Sequence, residues 1–254
     1  MIKKDKLIVV ATHKEYRMPD DDMYLPVFVN TSEHKGYVTD GTGENISAKN
    51  FSYCELTALY WAWKNTEFNC LGLVHYRRYF KGNGKGDKFS KILTSKELDK
   101  YLATNDILVP KKRHYYIETN ESQYLHAHHS EGLDAAKNVV TSISPKYADA
   151  WNTVMHRRSG HRFNMFIMKK RYADEYCEWL FGVLAEIEKK LDISDWSVSE
   201  KRVYGYLAER LLDVWLTANE YVYAELPYMF MEKQHWIKKI GNFLKRKFGR
   251  KSKE

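Results

Sequence analysis

The residues of this sequence best suited to chemistry are a histidine, a tyrosine and two arginines at the end of an apolar run. Residues 70–74 predict a buried strand, and His75, Tyr76, Arg77 and Arg78 follow it directly. Arginine presents a planar fork of donors that matches phosphate oxygens, so this group can neutralise a diphosphate leaving group. A second interpretation stays open, because arginines at a strand end also pair with carboxylates or lie solvated in a loop.

A second polar group follows the first apolar run of the chain. Residues 7–11 predict a strand buried on both faces, and Thr12, His13 and Lys14 come after it. Ligands of open α/β sheets bind at the carboxyl ends of strands. The sequence therefore predicts a ligand-binding edge at Thr12–His13–Lys14.

A loop with two glycines precedes a helix predicted over residues 50–65, which carries a capping box at Ser52 and Glu55. Because a helix N-terminus attracts anions, the polar side chains here can shape an anion pocket. They are Asp40, Asn45, Ser47, Lys49 and Asn50. The segment lacks the G-x-G-x-x-G and P-loop patterns, so an ordinary loop and helix cap is the alternative.

Histidines and carboxylates of the later half are candidates for the second-substrate side. Residues 124–140 predict a helix, on which His126 and His129 share a face. No third metal ligand accompanies them at a recognised spacing, so we predict no metal site there, and an exposed helix face is the alternative. A transfer to a hydroxyl group needs a base. Asp192, Asp195, Glu200 and Glu209 are candidates. Each also suits an exposed or ion-paired position, and Glu209 or Asp195 is our choice.

Strands that alternate with helices carry these groups. Further strands are predicted at 25–29, 106–109 and 163–168, and further helices at 94–103, 172–191 and 204–216. Alternation of this kind predicts an α/β fold with a mostly parallel sheet flanked by helices. The three cysteines form no C-x-x-C pair, which indicates neither a zinc site nor a disulfide scaffold and favours a reducing cytoplasm.

Positive charge is concentrated in residues 233–254. Nine of the 41 Lys and Arg and one of the 33 Asp and Glu lie there, which leaves 32 of each sign in residues 1–232. The sequence thus divides into a neutral domain, 1–232, and a basic tail, 233–254. A neutral body argues against a domain that binds nucleic acid by bulk charge.

The tail has the pattern of an amphipathic helix. Its apolar residues fall at helical spacing: Trp236, Ile237, Ile240, Phe243, Leu244 and Phe248. Lysines and arginines occupy much of the other face, which predicts association with an anionic membrane surface through residues 235–251. A disordered basic tail and a helix docked on the protein itself are the alternatives.

Several blocks of the sequence, in order, resemble a family of bacterial capsular and exopolysaccharide glycosyltransferases long catalogued only as a domain of unknown function. The blocks are residues 9–14, 45–50, 53–65, 75–80, 163–168, 176–181 and 205–211. The resemblance covers roughly residues 5–220 and implies a GT-A-like, Rossmann-like fold and a nucleotide-sugar donor. Some members are similar to β-1,3-galactofuranosyltransferases that use UDP-galactofuranose.

The resemblance gives the candidate residues their roles. Thr12, His13 and Lys14 are expected near the nucleotide base and ribose, with Asp40 contacting either. Asn45, Ser47, Lys49 and Asn50 are expected to shape the pocket. His75, Tyr76, Arg77 and Arg78 are expected at the phosphates, and His126 and His129 on the acceptor side. The acceptor implied is a saccharide on a polyprenyl-diphosphate lipid, so the enzyme is expected in the cytoplasm, peripheral on the inner face of the cell membrane.

The strand expected to end in the Asp-x-Asp of GT-A enzymes ends instead in His75–Tyr76–Arg77. We hypothesise that cationic and hydrogen-bonding side chains replace the divalent cation, with Mn²⁺ or Mg²⁺ dependence left open. Two rival functions are considered. One is a non-enzymatic module that binds a membrane or nucleic acid through its tail, and the other is a nucleotidyltransferase, for which the chain shows no convincing carboxylate cluster.

Overall fold

The computed structural model describes residues 2–232, so the tail helix predicted over 235–251 lies outside the described residues. The strands are β1 (Ile2–Thr12), β2 (Tyr24–Phe28), β3 (Val38–Thr39), β4 (Thr66–His75), β5 (Arg78–Phe80), β6 (Ile107–Pro110), β7 (Arg113–His114), β8 (Ser159–Gly160), β9 (Phe166–Lys169), β10 (Ala224–Leu226) and β11 (Tyr228–Phe230). The helices are α1 (Asn50–Tyr53), α2 (Leu56–Asn65), α3 (Ser95–Leu102), α4 (Asn120–Leu125), α5 (Ser130–Ile143), α6 (Pro145–His156), α7 (Lys170–Glu188) and α8 (Val203–Ala218).

Nine of the strands described within residues 2–232 build one large sheet, in the order β10-β6-β9-β4-β1-β2-β3, with β5 paired to β4 and β11 paired to β5. Strands β7 and β8 pair with each other in a separate sheet. Neighbours β1–β2, β1–β4, β2–β3 and β6–β10 are parallel. Strand β9 runs antiparallel to both β4 and β6. The prediction of an α/β fold with a mostly parallel sheet is therefore confirmed, and β9 is the reversed strand between β6 and β4.

The apolar run of β1 is continuous because both faces of the strand are covered. Leu7 and Val9 face a core shared with α2 and helices α5 to α8, whereas Ile8 and Val10 face a second core on the other side of the sheet, with Leu98 of α3. A strand covered on both faces has no solvent side, so polar alternation is absent.

The sheet brings the first two candidate groups together. Ala11 of β1 is in register with His75 of β4, and the Tyr76 amide donates to the Ala11 carbonyl at 3.2 Å. Because β1 and β4 are parallel neighbours, both polar groups leave the sheet at the same edge.

Two predicted helices are each broken in two. The helix predicted over 50–65 is α1 and α2, separated at Cys54, whose φ of +54° lies in the left-handed region. The predicted capping box is wrong, because the Ser52 hydroxyl donates back to the Lys49 carbonyl and lies inside α1. The helix predicted over 124–140 is α4 and α5, which are separated by residues 126–129.

Helix α6 was not predicted, although its signals are present. Pro145 occupies its first turn, and Tyr147, Trp151 and Val154 recur at helical spacing on its buried face. Within residues 2–232, no helix is long and apolar enough to cross a membrane.

Candidate functional site

A pocket of about 540 Å³ opens at the edge where β1 and β4 end. Of the predicted residues, it is lined by Thr12, His13, Asn50, His75 and Arg77. The structure thus brings together members of three groups that the sequence presented separately.

The β1 end of the pocket is shaped by a hydroxyl turn. The buried Thr12 hydroxyl donates to the Lys14 carbonyl at 2.6 Å, which folds the chain back after the strand. His13 then lies exposed at the rim, while Val29 adds an apolar wall. Partial burial, and then the charges of Arg77 and Lys14, lower the pKa of His13, so its imidazole is largely neutral at pH 7.

His75 presents a neutral donor to the pocket. Its Nδ1 accepts a hydrogen bond from the Arg77 amide at 3.2 Å, which assigns the ring hydrogen to Nε2. Burial, followed by the charges of Arg78 and Arg77, lowers the pKa of His75 to about 2. The ring is therefore an N–H donor without a charge of its own at physiological pH.

Arg77 is a cation that has no anionic partner among the residues that the structure describes. Its guanidinium carbon lies 5.3 Å from the centre of the Tyr76 ring, and its buried Nε has no hydrogen-bond partner. Within residues 2–232, no carboxylate oxygen lies within ion-pair distance of it. A half-buried arginine with open donors in a pocket is suited to an anionic ligand.

Tyr76 and Arg78 leave the strand end in other directions. Tyr76 is buried, with its hydroxyl 3.5 Å from Nε2 of His13. The Arg78 guanidinium carbon lies 4.3 Å from the centre of the Phe163 ring, outside the pocket lining. Burial lowers the pKa of Arg78, and the nearby Glu55 and Glu209 carboxylates oppose that shift. Arg77 therefore lines the pocket, whereas Arg78 packs against Phe163 outside the pocket lining.

The break between α1 and α2 forms a wall that the sequence analysis missed. The Asn50 amide donates to the Cys54 carbonyl at 2.8 Å and to the Thr57 hydroxyl at 2.9 Å. This fixes the chain where Cys54 adopts positive φ, and both Cys54 and Glu55 line the pocket. Burial, reinforced by Glu55, raises the pKa of the Cys54 thiol to about 11, so it is not a thiolate.

The opposite wall comes from the start of α8 and was also missed. Val198, Lys201 and Arg202 line the pocket, and Arg202 Nε donates to Cys54 Sγ at 3.2 Å. A signal was available in the sequence. Positive side chains directly before a helix are disfavoured by its dipole, so Lys201 and Arg202 are unusual at this position.

Four polar residues of the 40–50 region hold the loop rather than line the pocket. Asp40 is fully buried and accepts from the Asn30 amide at 2.9 Å and the Ser47 hydroxyl at 2.5 Å. Asn45 accepts from the Ser47 amide at 3.1 Å. Lys49 pairs with Glu188 at 2.6 Å and borders a different surface pocket. Lys14 is exposed at the pocket edge, 3.6 Å from Glu232.

The predicted bases and acceptor histidines also lie outside the pocket lining. Glu209 is half-buried, and its Oε1 accepts from the Phe163 amide at 2.9 Å. Asp195 is exposed. His126 pairs with Glu118 at 2.6 Å, whereas His129 stacks on Trp196 with ring centres 4.6 Å apart. The expectation that His126 and His129 share a helix face is wrong, because α4 ends before one and α5 begins after the other.

Within residues 2–232, no group of three or more His, Cys, Asp or Glu side chains is arranged to hold a metal ion. The polar lining of the pocket consists instead of cations, neutral imidazoles, small hydroxyl and amide groups, and Glu55.

A solved structure described as the apo form of WbbM, a bifunctional glycosyltransferase, is similar to this chain, with a TM-score of 0.83 and 29% identity. The match covers 91% of this chain and 46% of the WbbM chain, so this chain spans under half the length of that protein. The similarity confirms the α/β fold with a mostly parallel sheet flanked by helices that is expected for the described residues. No curated protein matches the chain.

The model of a family described as a domain of unknown function, DUF4422, matches residues 7–220. That range contains the second half of β1, all of β4 and the segment directly before α8, and with them the whole pocket lining. Because the match extends over most of the sequence, the chain belongs to the DUF4422 family.

Proposed function

We propose that this chain is a glycosyltransferase that moves a hexose, with galactofuranose as the leading candidate, from a UDP-sugar to a saccharide on a polyprenyl-diphosphate lipid. The product belongs to capsular, exopolysaccharide or other cell-surface polysaccharide synthesis. The observation that carries the proposal is the pocket at the ends of β1 and β4. There Arg77 has no anionic partner within residues 2–232, and the fold is similar to that of a glycosyltransferase.

The nucleoside fits the β1 side of the pocket. Val29 and Ala11 offer apolar contact for a base, and the rim imidazole of His13 offers hydrogen bonding to a ribose. Asp40 contributes by holding the loop after β3 through Asn30 and Ser47, rather than by direct contact. We therefore assign Ala11, His13 and Val29 to recognition of the nucleoside.

The diphosphate fits between β4 and α8. Arg77, Arg202 and Lys201 supply positive charge from two sides, and His75 adds the Nε2 hydrogen as a neutral donor. When the bond from the sugar to the β-phosphate breaks, the leaving diphosphate gains charge that these groups stabilise. Preorganised cations of this kind can take the role that a divalent metal has in other GT-A enzymes.

Nucleotide binding is the first test. A thermal-shift screen of the full chain against UDP, GDP, CMP and TDP, with and without Mn²⁺, should show a rise in Tm with UDP that Mn²⁺ leaves unchanged. A ligand at 100 times its Kd adds about 2.7 kcal/mol of stability, which such a screen detects. No shift with any nucleotide would favour the non-enzymatic binding module instead.

The metal hypothesis needs its own measurement. Release of UDP from a UDP-sugar donor should persist in excess EDTA, because the proposed charge stabilisation comes from side chains. Activity that EDTA abolishes and Mn²⁺ or Mg²⁺ restores would contradict metal independence and leave the transferase proposal standing.

The membrane proposal rests on the sequence of residues 235–251. Basic residues near an anionic leaflet contribute about 1 kcal/mol each, so removal of residues 234–254 should release the chain from anionic vesicles. UDP binding should persist in the truncated chain, because the pocket lies within residues 2–232. Unchanged vesicle binding after truncation would contradict a membrane role for the tail.

A further inference from the structure

The pocket contains a carboxylate that the sequence predicted only as part of a helix cap. Glu55 precedes α2 and lines the pocket together with Cys54, Arg77 and Arg202. Its surroundings are cationic, and the Glu55 charge acts on Arg78 as well. Among the described lining residues Glu55 is the one acidic side chain, and it lies beside cations that form no ion pair within residues 2–232.

The Glu55 carboxylate is held by one oxygen. Oε1 accepts a hydrogen bond from Nδ2 of Asn164 at 3.0 Å, and that same Nδ2 donates to the Gly205 carbonyl at 3.1 Å. Asn164 is buried, so it fixes the direction of the carboxylate. Within residues 2–232, Oε2 accepts no hydrogen bond and forms no ion pair. One oxygen is therefore anchored and the other can accept a proton.

The backbone before Glu55 is held in an uncommon conformation. Cys54 has a φ of +54°, a conformation that residues other than glycine rarely adopt because it is strained for them. The side chain of Asn50 holds this turn through the Cys54 carbonyl. Strain of this kind persists where the surroundings enforce it, and here it places residue 55 at the pocket wall.

The carboxylates chosen from the sequence are less available. Glu209 has Oε1 occupied by the Phe163 amide, and its Oε2 lies 3.8 Å from the guanidinium of Arg210. Asp195 is exposed and outside the pocket lining. Glu55 combines a pocket position, an anchored oxygen and an open oxygen.

We propose that Glu55 is the general base of the transfer, which rests on the function proposed above. Glu55 Oε2 takes the proton of the acceptor hydroxyl as that oxygen forms a bond to the anomeric carbon of the donor sugar. The bond from that carbon to the β-phosphate oxygen breaks, and its electron pair leaves with UDP. The proton ends on Glu55, and the sugar is transferred with inversion.

Release of UDP to water tests this assignment without an identified acceptor, since water then takes the place of the hydroxyl. The donors are UDP-galactofuranose, UDP-galactopyranose and UDP-glucose, and the full chain is compared with Glu55→Gln. We expect kcat for UDP release to fall about 100-fold or more in the variant, with the Kd for UDP unchanged. Glu67→Gln, exposed near the opposite end of β4, is the control that keeps full activity.

Two further readouts separate a base from a structural residue. The acid limb of the wild-type pH profile should be absent in Glu55→Gln, and formate should restore part of the activity of Glu55→Ala. A donor KM that rises while kcat stays unchanged would overturn the assignment, as would a loss of kcat in Glu209→Gln with Glu55→Gln still active. A wild-type chain that binds no UDP and releases none would instead overturn the proposed function.

Discussion

The network around Arg162 and the pocket around Arg77 differ in how the positive charge of an arginine is balanced. His161 is fully buried between carboxylates, with Nδ1 2.5 Å from Asp213 and Nε2 3.3 Å from Glu225. Arg162 lies 3.8 Å from Asp213 and donates to Tyr115 and Asn120. In the pocket, Arg77 has no such partner among residues 2–232.

The two regions differ in whether the chain itself supplies the negative charge that balances the cation. A buried cation is costly unless it is paired and hydrogen-bonded, and Asp213, Tyr115 and Asn120 meet that requirement for Arg162 within the chain. Among residues 2–232 no side chain does the same for Arg77, and we propose that an anionic ligand supplies the negative charge there. We expect changes in the network to alter stability and changes in the pocket to alter binding.

The largest effect on stability is expected from Asp213→Asn, which keeps the shape of the side chain and removes its charge beside His161 and Arg162. Breaking a buried pair costs about 3–5 kcal/mol, and urea unfolding should show a loss of that size. Asp106→Asn, in an exposed pair with Lys169, should cost less than about 1 kcal/mol. Equal losses of stability in the two variants would contradict the difference expected between the buried network and an exposed ion pair.

A smaller, pH-dependent effect is expected from His75. Its pKa is about 2 in the folded protein and about 6.5 in an unfolded chain. Between these pH values the unfolded state binds a proton that the native state excludes. The free energy of unfolding should therefore fall as pH drops below 6.5, by at most about 1.4 kcal/mol per pH unit.

Urea unfolding at pH 7, 6 and 5 measures this slope in the wild-type chain and in His75→Gln. The variant should show a shallower slope, because glutamine does not titrate. Identical slopes would mean that His75 is not held neutral and that the pocket lacks the cationic environment described for it.

The smallest effect is expected from Lys49→Gln. Lys49 pairs with Glu188 at the surface, where an ion pair contributes less than about 1 kcal/mol. Calorimetry should show unchanged affinity for UDP, because Lys49 does not line the pocket at the end of β4. A loss of affinity above about tenfold would restore the role in the pocket that the sequence suggested for it.

The sequence was most informative where a local pattern determines structure. The apolar runs before Thr12 and His75 predicted buried strands, and parallel pairing of β1 and β4 joined their polar ends. The loop residues around Asp40 and Ser47 have the composition of a pocket, yet their hydrogen bonds hold the loop itself. Composition alone does not distinguish these two uses of a polar side chain.

The other pocket walls depend on contacts between distant parts of the chain. The bond from Arg202 to Cys54 joins residues 148 positions apart, and Asn164 meets Glu55 across 109 positions. The break at Cys54 escaped prediction because its surroundings impose positive φ on a residue with no intrinsic preference for it. Antiparallel β9 likewise follows from tertiary pairing, since its apolar run has no direction of its own.

Calorimetric titration with UDP of the wild-type chain and of Arg77→Gln tests the central claim most directly, with exposed Arg171→Gln as the matched control. Loss of a charge-assisted contact predicts an affinity about tenfold to 100-fold lower in Arg77→Gln, with no loss of stability in the absence of UDP. The control should bind as the wild type does. Equal affinity in all three chains, or no binding of UDP by the wild type, would contradict the account.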